Sequence, residues 1–378
     1  MRMLLGALAL AASFVHADSR AGQVQTLYTS PAHQTIAAFA QDDGLVAWFA
    51  PGRQPACNAV WVWELAGAKQ HLPAQGASYH NVTCNWQIPP SSPVGLAVAG
   101  NNGSPALLWT LRESAAQSLR FDYVLGATVA DPNERRFQEV THANRGDGLW
   151  LSGLAGSGST LLYSVTQVEY KDQVACLSTP KQPGACALKI TGGGVYRVVG
   201  RKPPALITHT PPSVAIAVAG NDVACVPAVG TSTTDGHPVA AADNPIEIHD
   251  VTTGTLVTSV TPSGTPLAIA LSDTTLAVLD RPTTGTGLEL SWYDLTAGTQ
   301  LGSVTVPLQT TSAIALADGA VVFRVGKSIR TVDLTSQVVK TVATAAATPI
   351  GLSASGPRVA WAENVNGRGY IRAVTLGQ

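Results

Sequence analysis

Three groups of residues in this 378-residue chain bear side chains able to do chemistry. The first is His142, Asn144, Arg145 and Asp147. The second is Asp235, His237 and Asp243, within the loop TSTTDGHPVAAADNP. Carboxylates and imidazoles converging on one mouth can bind a divalent cation or move protons as acid and base. The same residues also suit an ordinary solvated loop, and no spacing among them is diagnostic of a ligand set. The third group is Arg53, Trp63, Tyr79, His80, Asn85 and Trp86. Aromatic and polar side chains mixed in this way stack on sugars or anchor a protein partner. Trp61 and Trp63 share one side of their strand, so at least one is expected to pack between sheets.

Other chemistries are disfavoured. No G-x-S-x-G elbow is present, and Gly156-Ser157-Gly158-Ser159 reads as a turn between strands. Gly192-Gly193-Gly194 lacks the lysine and helix of a phosphate loop. Arg145-Gly146-Asp147 is an integrin-type tripeptide, but it reads as a turn because Asp147-Gly148 is a strong turn pair. The five cysteines, Cys57, Cys84, Cys176, Cys186 and Cys225, are spaced by 27, 92, 10 and 39 residues, with no C-x₂-C. No metal or other cofactor is expected. The acids a glycosidase-like site would draw on are Glu113, Asp147, Asp235, Asp243 and Glu363.

The elements that must position these residues are short strands. Ser312 to Ala345, SAIALADGAVVFRVGKSIRTVDLTSQVVKTVATA, holds four alternating apolar/polar runs separated by ADG, GK and TSQ. Four antiparallel strands in so short a repeat make one blade of a β-propeller. Comparable repeats start near 36, 95, 148, 213, 266, 312 and 349, which predicts an all-β, seven-bladed propeller over residues 18–378. The seventh repeat stops after three strands. Residues 23–30, QVQTLYTS, resemble QVVKTVAT of the sixth, so the N-terminal strand is expected to complete the last blade and leave no open edge.

In that register, loops joining second to third strands and loops joining successive blades share one face. Cys57 and Cys84 then lie in neighbouring loops, and a bridge between them would contribute on the order of 3 kcal/mol. Cys176 and Cys186 flank a Pro/Gly loop expected to fold back as a hairpin closed by a disulfide. Cys225 sits in the alternating run DVACVPAV and reads as a small core residue.

Composition bounds the role. Charged residues make up 12% of the chain and net charge is −1, against about 25% charged in ordinary domains. Nucleic acids and anionic membranes are disfavoured as partners, because nothing basic would hold them. Residues 1–17 read as a cleaved signal peptide: Arg2, the apolar Leu4–Phe14, and Val15-His16-Ala17 before the cut. An uncleaved anchor is the alternative. No later stretch is long and apolar enough to span a bilayer, so an extracytoplasmic location and a monomer are expected.

IALADG…VVF…IRTVDLTS, with IEIHDVTTG and LSWYDLTAG, resembles the third-strand motif of WD40-like, TolB-like and YVTN-type bacterial propellers. The resemblance covers most of the chain after residue 17, most clearly 213–378. Gly-His and Trp-Asp pairs of eukaryotic WD40 repeats are absent; His249-Asp250, Tyr293-Asp294 and Val332-Asp333 occupy the dipeptide position. Such resemblance implies that the aspartate caps the following turn. It also implies a binding scaffold for a protein, peptide or cell-wall glycan or, alternatively, a propeller enzyme such as a lyase or glycan hydrolase.

Overall fold

The computed structural model describes residues 22–51, 58–66, 69–70, 78–79, 92–100, 106–114, 119–128, 135–143, 146–178, 180, 184, 186–200 and 202–377. The segment 1–17, and with it Arg53, Cys57, His80, Cys84, Asn85, Trp86, Asn144 and Arg145, lies outside the described residues.

The three repeats from 264 onward show how this sequence makes its sheets. In the fifth repeat Gly264–Leu271, Thr275–Pro282, Leu288–Asp294 and Gln300–Val306 pair antiparallel in chain order. The first strand alternates buried and half-buried positions, whereas Thr275 to Asp280 of the second are all buried. A strand apolar on both faces must be covered on both, so the core lies between neighbouring sheets. Leu290 and Trp292 of the fifth repeat pack with Val321 and Phe323 of the sixth; Val322 of the sixth packs with Val359 and Trp361 of the seventh.

First strands lie side by side around a ring. Ala38–Asp42 neighbours Ser92–Ala99, and Gly148–Ser157, Ser213–Ala219, Gly264–Leu271, Thr310–Ala317 and Ile350–Ser355 follow in turn, the last again beside Ala38–Asp42. Gln25–Thr29 takes the outer place of the seventh-repeat sheet, pairing Gln25 with Ala373 and Thr29 with Tyr370.

The aspartates at the dipeptide position do cap turns. Asp333 Oδ1 accepts from Thr335 N, Ser336 N and Ser336 Oγ, and Asp250 Oδ1 does the same with Thr252 and Thr253. Asp294 Oδ1 accepts from Ala297 N. Asp43-Gly44 makes a two-residue hairpin between Asp42 and Leu45, both residues with positive φ.

Three details depart from the sequence reading. By hydrogen bonding, the described strands form six sheets of four or more strands, where seven were expected. The second and third repeats share one eight-stranded sheet, because the short connector Ala143–Asp147 brings His142, at the end of Arg135–Ala143, into register with Gly148. The Cys176–Cys186 segment opens with a six-residue helix, Gln173–Ser178, in place of a hairpin, its first turn held by Asp172 Oδ1 accepting from Ala175 N. Finally, the outer strand of the third repeat, where the four-strand pattern predicts a full one, is only Ala205–Leu206. Thr210 Oγ1 turns inward to accept from Val195 N, and Pro211-Pro212 carry no N–H to continue a ladder.

Candidate functional site

The connector between the second and third repeats is shaped by two glycines. Gly148 has φ +123°, and a Cβ there would stand 2.5 Å from Thr141 O. Gly146 has φ +101°, and its Cβ would stand 2.5 Å from Gly236 Cα and 2.8 Å from Asp235 O. Two glycines crossing at this distance let the loop of the fourth repeat touch the connector. That loop carries the small hairpin Gly230–Thr231 and Pro238–Val239, whose tip holds Asp235 and His237. His142 of the first residue group is thereby brought near Asp235 and His237 of the second.

Their side chains form a stack. Trp150, buried, donates its indole N–H to Gly146 O at 2.7 Å. The His142 ring stacks on it at 3.6 Å between centroids, and the His237 ring meets it edge-on at 6.5 Å. His142 Nδ1 lies 3.2 Å from Ala143 O, and Nε2 faces Asp122 Oδ2 at 3.8 Å, both side chains buried. His237 Nδ1 lies 2.5 Å from Asp235 Oδ1, near the surface. Burial pushes the Asp235 pKa up, but hydrogen bonds from the His237 side chain and backbone and from Ser232 outweigh it and leave the carboxyl below its ordinary value. Asp147 Oδ1 is buried with no hydrogen-bond partner among the described residues. Asp243 is exposed further along the fourth-repeat loop, with φ +62°. A cavity of about 240 Å³ lies between the first strands of the second and third repeats, lined by Gly95, Leu96, Asp122 and Leu151 to Leu154.

Tyr79 belongs to a two-residue strand paired with Val60; its side chain, like those of Trp63 and Glu113, lies outside the described part. Trp61 is half-buried and packs against the core shared by the first and seventh repeats, as expected of one tryptophan of that pair.

Two acids outside the expected set face each other. Asp280 and Glu289 face each other across the second and third strands of the fifth repeat, and Ser263 Oγ donates to both, at 3.3 and 3.0 Å. Burial first, then the Glu289 charge, push the Asp280 pKa up to about 6 against hydrogen bonds from Ser263 and Gly264. Glu363 takes the same sixth place in the second strand of its own repeat. It accepts from Ala347 N at 3.1 Å, and Arg372 Nε donates to it at 2.9 Å. Arg372 also lies over the Tyr370 ring and bonds Thr26 Oγ1, so Glu363 ties the N-terminal strand into its sheet. The signal for the Asp280 pair was an acid at facing positions of TLAVLD and LELSWYD, visible only once strand register is known.

Cys176 and Cys186 are joined in a disulfide, and Cys225 is a buried free thiol whose pKa burial pushes up to about 12. Among the described residues, no three His, Cys, Asp or Glu side chains group as a metal site, and no helix is long and apolar enough to cross a membrane.

A ring of sheets with its cores between them defines the chain as an all-β propeller. No family model matches it, nor does any curated protein. Similar solved structures include Sqt1 of Saccharomyces cerevisiae, with 8% identity, a TM-score of 0.43, and coverage of 93% of this chain and 99% of that one. A chain of the mitotic checkpoint complex shows 10% identity, a TM-score of 0.48, and coverage of 100% and 99%. In a structural study of two prolyl endopeptidases the values are 15% and 0.45, covering 89% of this chain and 45% of that one.

Proposed function

We propose that the chain is an extracytoplasmic, seven-bladed propeller that serves as a binding scaffold, its partner a protein, peptide or cell-wall glycan held on the face built from the 143–147 connector, the disulfide loop and the 229–239 hairpin. The single observation carrying this reading is the Gly146–Gly236 crossing, which brings the connector and the hairpin over one stack of His142, Trp150 and His237. The count of seven is supported by the ring of first strands and by a core between the two halves of the eight-stranded sheet, where Ala97, Val124 and Val140 meet Leu161, Tyr163 and Val165. Pairing of Gln25–Thr29 with the last strand supports closure by the N-terminal strand. The signal-like start and the disulfide support an oxidising, extracytoplasmic setting, and the single chain is read as one domain and a monomer.

The test is an array of peptides and cell-wall oligosaccharides probed with wild type and with the Asp235→Ala/His237→Ala double variant. Both residues are exposed, so the fold should persist. At least a tenfold loss of affinity is expected; unchanged affinity for every ligand overturns the reading. The enzyme alternative rests on the Asp280–Glu289 pair, in which burial and the neighbouring carboxylate push the Asp280 pKa up to about 6, toward the range acid/base catalysis requires. It predicts turnover of an oligosaccharide that Asp280→Asn abolishes.

A further inference from the structure

The third repeat leaves a sheet edge open. Its third strand, Leu188–Val198, pairs along its length with Thr160–Tyr170, from Leu188 opposite Tyr170 to Val198 opposite Leu161. On its other side, among the described residues, the only ladder pairs are Tyr196 with Leu206 and Arg197 with Ala205. Ile207 N and Thr210 Oγ1 occupy Val195. Among the described residues no strand joins Leu188–Gly193 on that side. The hairpin strand Gly230–Thr231 lies against Leu188–Val198 without entering its ladder.

We infer that the Leu188–Gly193 edge receives an extended, acidic peptide segment, which adds to the sheet as the missing outer strand of this repeat. An unpaired strand edge offers a row of N–H and C=O groups whose full satisfaction needs only another extended backbone. Gly192 and Gly193 present no side chain to obstruct the approach. The charge of the peptide is read from the strand and its return: among the described residues, Leu188 to Leu206 holds Lys189, Arg197 and Lys202 and no acid, and Lys189 is exposed on the open edge itself, with Glu169 opposite it on the paired side. A lysine there repels a second copy of the same edge while attracting carboxylates, which selects a foreign strand over self-pairing. This edge borders the disulfide loop and the 229–239 hairpin, and slowed exchange at Ile190 to Gly193 tells binding here from binding on the loop face.

The probe is an acetylated, amidated seven-residue peptide alternating glutamate and valine, titrated by fluorescence anisotropy onto the full chain. Saturable binding is expected, with hydrogen exchange slowed at amides of Ile190 to Gly193. N-methylation of alternate peptide residues should abolish binding by one of its two edges, and Lys189→Glu should weaken it about tenfold. Absence of saturable binding, indifference to N-methylation on either edge, or protection confined to other strands overturns the inference. So does equal affinity for the peptide with lysine in place of glutamate. A dimer seen by sedimentation and lost in Lys189→Glu would assign the edge to a second copy and equally overturn it.

Discussion

Replacing Asp280 by asparagine should make the protein more stable at neutral pH. Asp280 is fully buried and faces Glu289, and these two causes, in that order, hold its pKa near 6 instead of its ordinary 3.8. The shift is about 2 units, worth on the order of 3 kcal/mol at 1.36 kcal/mol per unit. Its sign follows from proton binding. Between pH 4 and 6 the folded chain holds a proton that the unfolded chain has released, so this residue lowers stability as pH rises, and its full cost is present above pH 6. Asparagine keeps the shape, still accepts from Ser263 and Gly264, and can donate to Glu289. Equilibrium unfolding in urea at pH 4, 5, 6, 7 and 8 isolates the effect as the difference between variant and wild type, in which every other titrating group cancels. That difference should grow by about 3 kcal/mol from pH 4 to pH 8. Glu289→Gln should recover the smaller part of it. A difference flat across this range would show that Asp280 ionises normally and would remove the basis of the acid-pair reading.

Two further perturbations test the fold. A Cβ at Gly302 would stand 2.5 Å from Trp292 Cζ2 and 2.8 Å from Cε2, so Gly302→Ala should cost about 1–3 kcal/mol by overpacking. Trp292→Phe removes those atoms, so the double variant should lose less than the sum of the singles in a double-mutant cycle. Asp333→Ala should lower the thermal midpoint, since three donors lose their acceptor. Hydrogen bonds hold the Asp333 pKa below its ordinary value, so its contribution is present above the unfolded carboxylate pKa and lost as pH falls through the folded one; wild type and variant should converge in acid.

The architecture was largely legible, because turn residues and two-residue periodicity are local properties. Asp43-Gly44, the Asp250, Asp294 and Asp333 caps, and the kinship of Gln23–Ser30 with the outer strand of the sixth repeat all lie within a few residues of their signals. Pairing of Cys176 with Cys186 was legible for the same reason. What failed depended on competition between neighbouring segments. Ala205–Thr210 has strand composition, yet Thr210 finds a better partner in Val195 N, and the prolines after it end the ladder. The loops at 142–147 and 235–237 were both recognisable as polar, but their meeting depends on Gly146 crossing Gly236, about ninety residues apart. Asp280 and Glu289 were invisible as a pair, since nothing in either strand alone states which residue it will face.

The repeats serve as controls for one another. Asp280 and Glu363 occupy the same place in their strands and accept from backbone N–H groups just ahead of the first strand. In the seventh repeat the carboxylate meets Arg372, the ordinary solution for a buried charge. In the fifth, the residue two places beyond Glu289, where Arg372 would correspond, is Ser291, and the nearest charge is a second carboxylate. Stability alone favours the arginine, so the fifth repeat carries a strain that its sibling shows to be avoidable. A comparable contrast separates the third repeat from the sixth. Val339–Thr344 supplies the sixth with a full outer strand, whereas in the third the outer strand is two residues long and, among the described residues, no strand joins Leu188–Gly193 on that side. Where one copy of a repeat forgoes an interaction that another copy makes, structural need is already met by the complete copy's solution, and the departure marks a position available for binding or chemistry. By that criterion the open edge at Leu188–Gly193 and the acid pair at Asp280–Glu289 are positions the repeats themselves single out, beside the loop face that carries the proposed function.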